Sequence, residues 1–266
     1  MTSSNSACGG FGWDQVDPFD EKDRHLWMKL EHLGRYLFAA DFLKQHKPKV
    51  VADIACGIGY GIPELGRIAQ MVIGVDSSKE MIEIASKKIS DGSNGLKVRF
   101  LNKDLDSEDL TPDIEPGSVD VVVSFETLEH LIDPNRAVSQ FSHILKPHGF
   151  FICSFPNALS ESKSSASVPR NRNHKQLFNF GSLSRMLQSH GIQVVYRLGQ
   201  SWSNSLLKRE QQLSSARLIE RRLSDVPEMH SPEMIRLLSY ILAYPTVEDV
   251  DGSYSIIIVA HKQPRV

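Results

Sequence analysis

Short apolar runs alternate along the chain with longer stretches in which apolar residues recur at helical spacing. The apolar runs predict seven strands, at 49–54, 72–76, 97–101, 119–125, 149–155, 192–198 and 254–260. The helical spacing predicts helices over 25–46, 63–69, 78–90, 134–145 and 181–190. Strands and helices that alternate in this way predict an α/β domain with a doubly wound, mostly parallel sheet.

Local signals mark where several helices begin and end. Ser78 is placed to cap the helix that follows it, and Gly191 supplies a left-handed stop after residue 190.

Two segments interrupt the alternation of strands and helices. Residues 157–173 form a polar, serine-rich loop, which predicts either a mobile lid or disorder. Residues 203–244 predict a helical insert between the last two strands, which would either roof the site or decorate the edge of the sheet.

Composition and charge narrow the class of protein. With 266 residues, 41% of them hydrophobic, the chain is long enough for one full core, and we expect a domain over 25–266 after a flexible segment 1–24. No run is long and apolar enough to span a membrane, and residues 1–24 lack signal-peptide features, so we expect a cytoplasmic protein. The formal net charge of -2 favours a small or weakly charged partner over nucleic acid.

The stretch VADIACGIGYG, residues 51–61, is the first candidate for a binding site. In a parallel sheet the ligand lies beyond the carboxyl ends of the strands, and Gly57, Gly59 and Gly61 follow such an end. Their spacing does not match the dinucleotide pattern, and Asp53 would repel a pyrophosphate. A carboxylate at this position suits a ligand that carries an ammonium group.

Two further acids follow the next predicted strands. Asp76 ends the second strand, where an acid accepts the hydroxyls of a ribose, and Asp104 follows the third strand, within reach of an adenine amino group. Asp104 also belongs to the acidic run NKDLDSEDL, which would serve equally as a solvated loop. Together with Asp53, these acids match a ligand with ammonium, ribose and adenine groups but no phosphate. That ligand is S-adenosylmethionine.

These motifs resemble those of the class I S-adenosylmethionine-dependent methyltransferases over residues 25–200. DIACGIGYG is similar to the first motif of that family, VIGVD to its acidic second strand, and VDVVVSFETLEHLIDPNRAVSQFSHILKPHGFFICSFPN to its fourth and fifth strands. The resemblance implies a Rossmann-like sheet whose last strand is antiparallel. EHLGRYLFAADFL also resembles a subgroup associated with saccharide or natural-product pathways. By resemblance the cofactor contacts are Asp53, Ala55, Cys56, Gly57, Gly59, Asp76, Ser77, Met81, Asp104, Leu105, Ser124 and Glu126.

Candidate catalytic residues follow the fourth strand, in FETLEHL. Methyl transfer needs an acceptor placed in line with the methyl group and a base that takes the acceptor's proton. His130, His174 and Glu129 are the candidates, because imidazole titrates near neutrality and the spacing brings Glu129 and His130 to this mouth. The other histidines are expected to be solvated and receive no role. We therefore expect methyl transfer to an oxygen or nitrogen of a small molecule, such as a natural product or saccharide.

The same residues allow other interpretations. Glu126, Glu129, His130 and His174 also resemble the divalent-metal site of RNA 3′-terminal 2′-O-methyltransferases, and oxygen and imidazole ligands would suit Mg²⁺ or Mn²⁺. The same ETLEH sequence occurs in small-molecule enzymes that need no metal, and a metal is not the favoured interpretation. A third alternative is a non-catalytic protein that only binds the cofactor. The apolar face of the insert 203–244 would serve a lipophilic substrate or a homodimer.

Overall fold

The computed structural model describes residues 16–20, 26–92, 95–163, 168–169, 171–200 and 231–264. Its sheet has seven strands: β1 Val50–Ile54, β2 Met71–Asp76, β3 Lys97–Asn102, β4 Val119–Phe125, β5 Leu145–Pro156, β6 Ile192–Gln200 and β7 Ser255–Lys262. The helices are α1 Leu26–Leu43, α2 Ile62–Gly66, α3 Lys79–Gly92, α4 Pro134–Ile144, α5 Ala158–Glu161, α6 Phe180–Ser189 and α7 Pro232–Leu242. A 3₁₀ turn, Leu128–His130, follows β4, and Ser162–Lys163 pairs with Val168–Pro169.

The strands lie in the order β3-β2-β1-β4-β5-β7-β6. The first five are parallel to one another, and β7 is antiparallel to both β5 and β6. The predicted fold class is therefore confirmed, including the antiparallel last strand. The strand order reverses between β1 and β4, and such a reversal opens a crevice beyond the carboxyl ends of the two strands.

Apolar side chains cover both faces of the sheet, as parallel sheets require. On one face, Phe141 of α4 and Leu187 of α6 pack with Phe151 of β5. On the other face, Leu43 of α1 and Leu65 of α2 pack against the sheet. Each layer buries its apolar stripe, so the sheet is held rigidly between helices and its strand ends are fixed in position.

Helix α1 is fastened in place by α7 and by the end of β6. Leu30 and Leu37 of α1 pack with Ile235 of α7. The Gln200 side chain donates from Nε2 to the carbonyls of Glu31, at 2.8 Å, and Ala243, at 2.6 Å. These bonds tie three elements that are distant in sequence. Residues 203–230, the first part of the predicted insert, lie outside the described residues.

Several local predictions can be compared with the structure. Ser78 Oγ accepts from the amide of Met81 at 3.3 Å, and Gly191 has a φ of 72°, so both helix signals are confirmed. Strand β5 begins at Leu145 rather than at residue 149, because Leu145 already pairs with Val119 before a register shift. Within the described part of the chain, no helix is both long and apolar enough to cross a membrane.

Candidate active site

A cavity of about 260 Å³ opens beyond the carboxyl ends of β1, β2 and β4. Ten of the residues predicted from the sequence line it: Ala55, Cys56, Gly57, Asp76, Ser77, Met81, Asp104, Leu105, Glu126 and His130. The predicted residues Asp53, Gly59 and Ser124 do not line this cavity, and Glu129 and His174 line a smaller one beside it. Most of the predicted set is therefore brought together at one crevice.

The turn after β1 forms one wall of this cavity. Ala55, Gly57 and Gly59 have φ values of 61°, 53° and 74°, the left-handed region in which glycine is least strained. A Cβ on Gly57 would meet no atom within 4 Å, whereas a Cβ on Gly59 would lie 2.9 Å from Cβ of Ala85. Gly59 therefore lets α3 approach, and Gly57 leaves its backbone bare where a ligand can contact it.

Asp76, at the end of β2, braces the same turn. Its carboxylate accepts from the amide of Gly57 at 2.8 Å and from the amide of Ser78 at 2.9 Å. Burial raises the pKa of Asp76, and the two amide hydrogen bonds oppose that rise. The carboxylate is held at a fixed position in the wall of the cavity, where it can accept hydrogen bonds from a ligand's hydroxyl groups.

Asp53 lies behind the cavity wall. It is fully buried, and Tyr36 Oη donates to its two carboxylate oxygens, 3.0 and 3.3 Å away. Burial raises the pKa of Asp53 to about 7; the Tyr36 hydrogen bond lowers it and the charge of Asp76 raises it. The group that lines the cavity at this end is Tyr36 itself, whose ring packs against Phe125 and Tyr60.

The Asp104 side chain stabilises the loop that follows β3. It accepts from the amide of Asp106 at 3.0 Å and from Ser107 Oγ at 2.7 Å, and the Ser107 hydrogen bond is the main cause of its lowered pKa. Leu105 is 6% exposed and forms part of the cavity wall. The acidic loop is therefore ordered by its own side chains, and it also lies at the cavity.

The end of β4 and the residues that follow it lie between the two cavities. Ser124 is buried in the sheet, and Glu126 follows with a φ of 49°, which is rare for a residue with a side chain. Glu126 Oε1 accepts from Ser154 Oγ at 2.7 Å and lies 3.6 Å from Arg35 Nη2. Backbone strain of this kind persists where the surrounding structure enforces it, often at functional sites.

The second cavity, of about 90 Å³, shares His32, Glu126 and His130 with the first. The sequence predicts a solvated His32, but this residue lines both cavities and its Nδ1 lies 3.1 Å from Tyr60 Oη. Most residues around the second cavity are polar, and Glu31, Arg35 and Glu129 are 2% exposed or less. A ligand in the first cavity would therefore reach a small, buried, polar space.

Glu129, His130 and His174 come together at this space. One potential ligand atom from each lies within 4.8 Å of the others. The loop that carries His174 is held to the 3₁₀ turn, because the amides of Lys175 and Gln176 donate to the Glu129 carbonyl at 2.7 and 3.0 Å. Such oxygen and imidazole groups could hold a divalent cation. Glu126, which the sequence placed in the same set, is not part of this cluster.

Sequence reasoning did not name the residues of α1 that line the site. Tyr36 and His32 line the first cavity, and Glu31 and Arg35 line the second. A signal was present, since these residues recur three to four positions apart and so share one face of a helix. Polar residues on one helix face are ordinarily a solvated face, however, and nothing in the sequence placed this face against the strand ends.

Known proteins give an independent view of these features. A sequence profile of the methyltransferase domain matches residues 52–153. A probable S-adenosylmethionine-dependent methyltransferase of Mycolicibacterium smegmatis is 25% identical over 79% of this chain and 80% of its own length. A ubiquinone biosynthesis O-methyltransferase of Cupriavidus pinatubonensis is 27% identical over 71% and 81%. Four relatives of 30 to 36% identity are matched over half or less of their own length.

A solved structure shows the same fold. An S-adenosylmethionine-dependent methyltransferase from Aquifex aeolicus superimposes with a TM-score of 0.53 at 16% identity, covering 93% of this chain and all of that one. The sheet order and the antiparallel β7 thus define a Rossmann-like methyltransferase fold. The match to the methyltransferase domain, these relatives and the shared fold support a class I S-adenosylmethionine-dependent methyltransferase.

The residues present fit the cofactor that this class implies. The bare backbone at Gly57 allows a ligand to approach, and Asp76 offers a carboxylate beside it. The cavity also has apolar wall at Met81 and Leu105, which suits the flat face of a base. The chemistry of these groups matches the hydroxyl and aromatic parts of one ligand, as in S-adenosylmethionine.

Proposed function

We propose that the protein transfers a methyl group from S-adenosylmethionine to an oxygen or nitrogen atom of a small molecule, such as a natural-product or saccharide intermediate. The observation that carries this proposal is the junction of the two cavities at His32, Glu126 and His130. It supplies a large site for the cofactor and a small polar site next to it. The likeness to ubiquinone biosynthesis O-methyltransferases supports a small acceptor.

S-adenosylmethionine, when bound, supplies an electrophilic methyl group on a positively charged sulfur. The chain's own residues would position that cofactor and the acceptor. Asp76 would accept hydrogen bonds from the ribose hydroxyls, and the bare backbone at Gly57 would lie against the amino-acid end. His130, with its Nδ1 3.3 Å from the Asn173 carbonyl, lies where it could take a proton from an acceptor in the small cavity.

A calorimetric titration with S-adenosylhomocysteine tests the cofactor assignment, with NADH as the control. We expect saturable binding of the homocysteine compound and none of NADH. Binding of NADH instead would show that the carboxylates and the glycine turn had been interpreted wrongly. Production of S-adenosylhomocysteine in the presence of candidate acceptors then separates an enzyme from a protein that only binds the cofactor.

A second candidate function is favoured by the Glu129, His130 and His174 cluster. A divalent cation held there would align and polarise a hydroxyl, as in methylation of the 2′-hydroxyl at an RNA 3′ end. Activity on RNA ends that is abolished by EDTA and restored by Mn²⁺ would favour this candidate. Turnover of small acceptors that is unaffected by EDTA would exclude a required metal.

A further inference from the structure

The second cavity is walled on one side by α1. Trp27, Glu31 and Arg35 are four residues apart and so form one stripe of the helix that faces the cavity. Glu126, Glu129 and Tyr254 face them from the β4 exit and from the residue before β7. The position of the stripe is set by Gln200, which holds the Glu31 carbonyl and accepts from Arg35 Nε at 2.7 Å.

Carboxyl groups outnumber guanidinium groups in this lining. Arg35 lies 3.6 Å from Glu126 and can neutralise it, and Glu129 lies 3.9 Å from His130 Nε2. Glu31, 2% exposed, is then left as an additional buried acid. Its burial raises its pKa to about 8, and Glu126 adds to the rise while Arg35 opposes it. A positively charged guest beside Glu31 would favour the ionised carboxylate, which burial alone disfavours.

A separate observation concerns Arg35. Its Nε and Nη2 donate to Gln200 and to Ser255 Oγ, at 2.7 and 3.1 Å, but its buried Nη1 has no hydrogen-bond partner among the described residues. An unsatisfied buried donor is costly, so a guest that brings an oxygen acceptor would be stabilised here. Trp27 and Tyr254, whose rings lie 6.3 Å apart at 80°, add aromatic surface that suits an ammonium group.

The structure assigns the second cavity to the polar end of the methyl acceptor, and that end is a small amine, cationic at neutral pH, with an oxygen on a neighbouring carbon. The ammonium group lies against Glu31, and the oxygen accepts from Arg35 Nη1. This assignment rests on the proposed function, because the acceptor must meet the cofactor at Glu126 and His130. It concerns recognition, and it applies whether the methylated atom is oxygen or nitrogen.

Three probes of matched size test the assignment by calorimetry on protein saturated with S-adenosylhomocysteine. Ethanolamine has both groups, 1,2-ethanediol lacks the charge, and n-propylamine lacks the oxygen. We expect the affinity of ethanolamine to be at least about tenfold higher than that of either other probe, because each of them lacks one hydrogen bond that involves a charged group. Equal binding of ethanolamine and the diol would overturn the assignment, as would binding of Mn²⁺ at this cavity without binding of any amine.

A pair of variants assigns the effect to α1. Glu31→Gln keeps the shape and removes the carboxyl group that can ionise beside a bound ammonium group, so ethanolamine should lose about tenfold in affinity while the diol changes less than twofold. Glu83→Gln, at a largely exposed position on α3, should change neither. Circular dichroism and an unchanged homocysteine isotherm confirm that each variant is folded. A missing homocysteine isotherm in the unmodified protein contradicts the proposed function itself, whereas a normal one without amine preference contradicts only this inference.

Discussion

Tyr36 reaches from α1 to the end of β1 and donates its hydroxyl hydrogen to the buried carboxylate of Asp53, 3.0 Å away. Tyr36 lines the cofactor cavity, whereas Asp53 does not. The tyrosine ring also occupies the space that a side chain on residue 61 would need, so Gly61 is required for this contact. The pair therefore couples α1, which lines both cavities, to the glycine turn.

The first prediction concerns this hydrogen bond. Tyr36→Phe should lower the free energy of unfolding by about 1–3 kcal/mol at pH 8, because it removes the donor from a buried carboxylate. The loss should be smaller at pH 4, where the carboxyl is protonated and needs the donor less. Urea unfolding at both pH values measures the difference. Tyr196→Phe, on an exposed residue of β6, is the control and should change stability by less than about 0.5 kcal/mol.

The second prediction concerns the titration of Asp53. Its pKa rises from 3.8 to about 7 on folding, so the folded state binds the proton more tightly than the unfolded state. The stability that this group contributes is therefore present below about pH 4 and is lost as the pH rises to about 7. The free energy of unfolding of the wild type relative to Asp53→Asn should fall across this window, with a slope of up to about 1.4 kcal/mol per pH unit. A difference that is independent of pH would contradict the raised pKa.

The third prediction uses two glycines with similar backbone conformations. Gly57 and Gly117 have φ values of 53° and 64°, and a Cβ at either position would meet open space. Gly57→Ala and Gly117→Ala should therefore each cost about 1–2 kcal/mol of stability. Only Gly57→Ala should weaken S-adenosylhomocysteine binding, because its methyl group enters the cavity. Equal affinities for the two variants would remove Gly57 from the cofactor site.

The fourth prediction concerns Asp76. Replacing it with alanine should weaken S-adenosylhomocysteine binding by roughly 10- to 150-fold, because hydrogen bonds to a charged group contribute about 1.5 to 3 kcal/mol. Asp91→Ala, at an exposed position on α3, removes the same charge away from the cavity and should leave the affinity unchanged. An unchanged affinity in Asp76→Ala would exclude the ribose assignment.

The fifth prediction concerns His130. If it takes the acceptor's proton, His130→Ala should lower kcat by about 10²–10⁴-fold with little change in cofactor affinity. His143→Ala, at an exposed position in the last turn of α4, is the matched control and should retain full activity. Steady-state kinetics with an identified acceptor provide the comparison. If His130→Ala were fully active, another group would have to take the acceptor's proton.

The strand ends were predictable from the sequence because each strand's hydrophobic pattern and the acid that follows it lie within a few residues of each other. Asp76 and Gly57 could be placed together since parallel strands end at one edge, and the structure joins them at 2.8 Å. The contacts of α1 were not predictable in this way. Arg35 and Gln200 are 165 residues apart, and no periodicity specifies that they meet. The role of this face of α1 depends on how α7 and β6 pack against the helix, and the local sequence does not specify that packing.

The position of β7 has a consequence for how the protein is made. This strand lies between β5 and β6 but follows both in the chain. During synthesis, β5 and β6 therefore leave the ribosome before β7 has been made. Until β7 pairs with both strands, each of them has an edge that can pair with another chain. Sheet closure must therefore wait until Ser255–Lys262 has been synthesised.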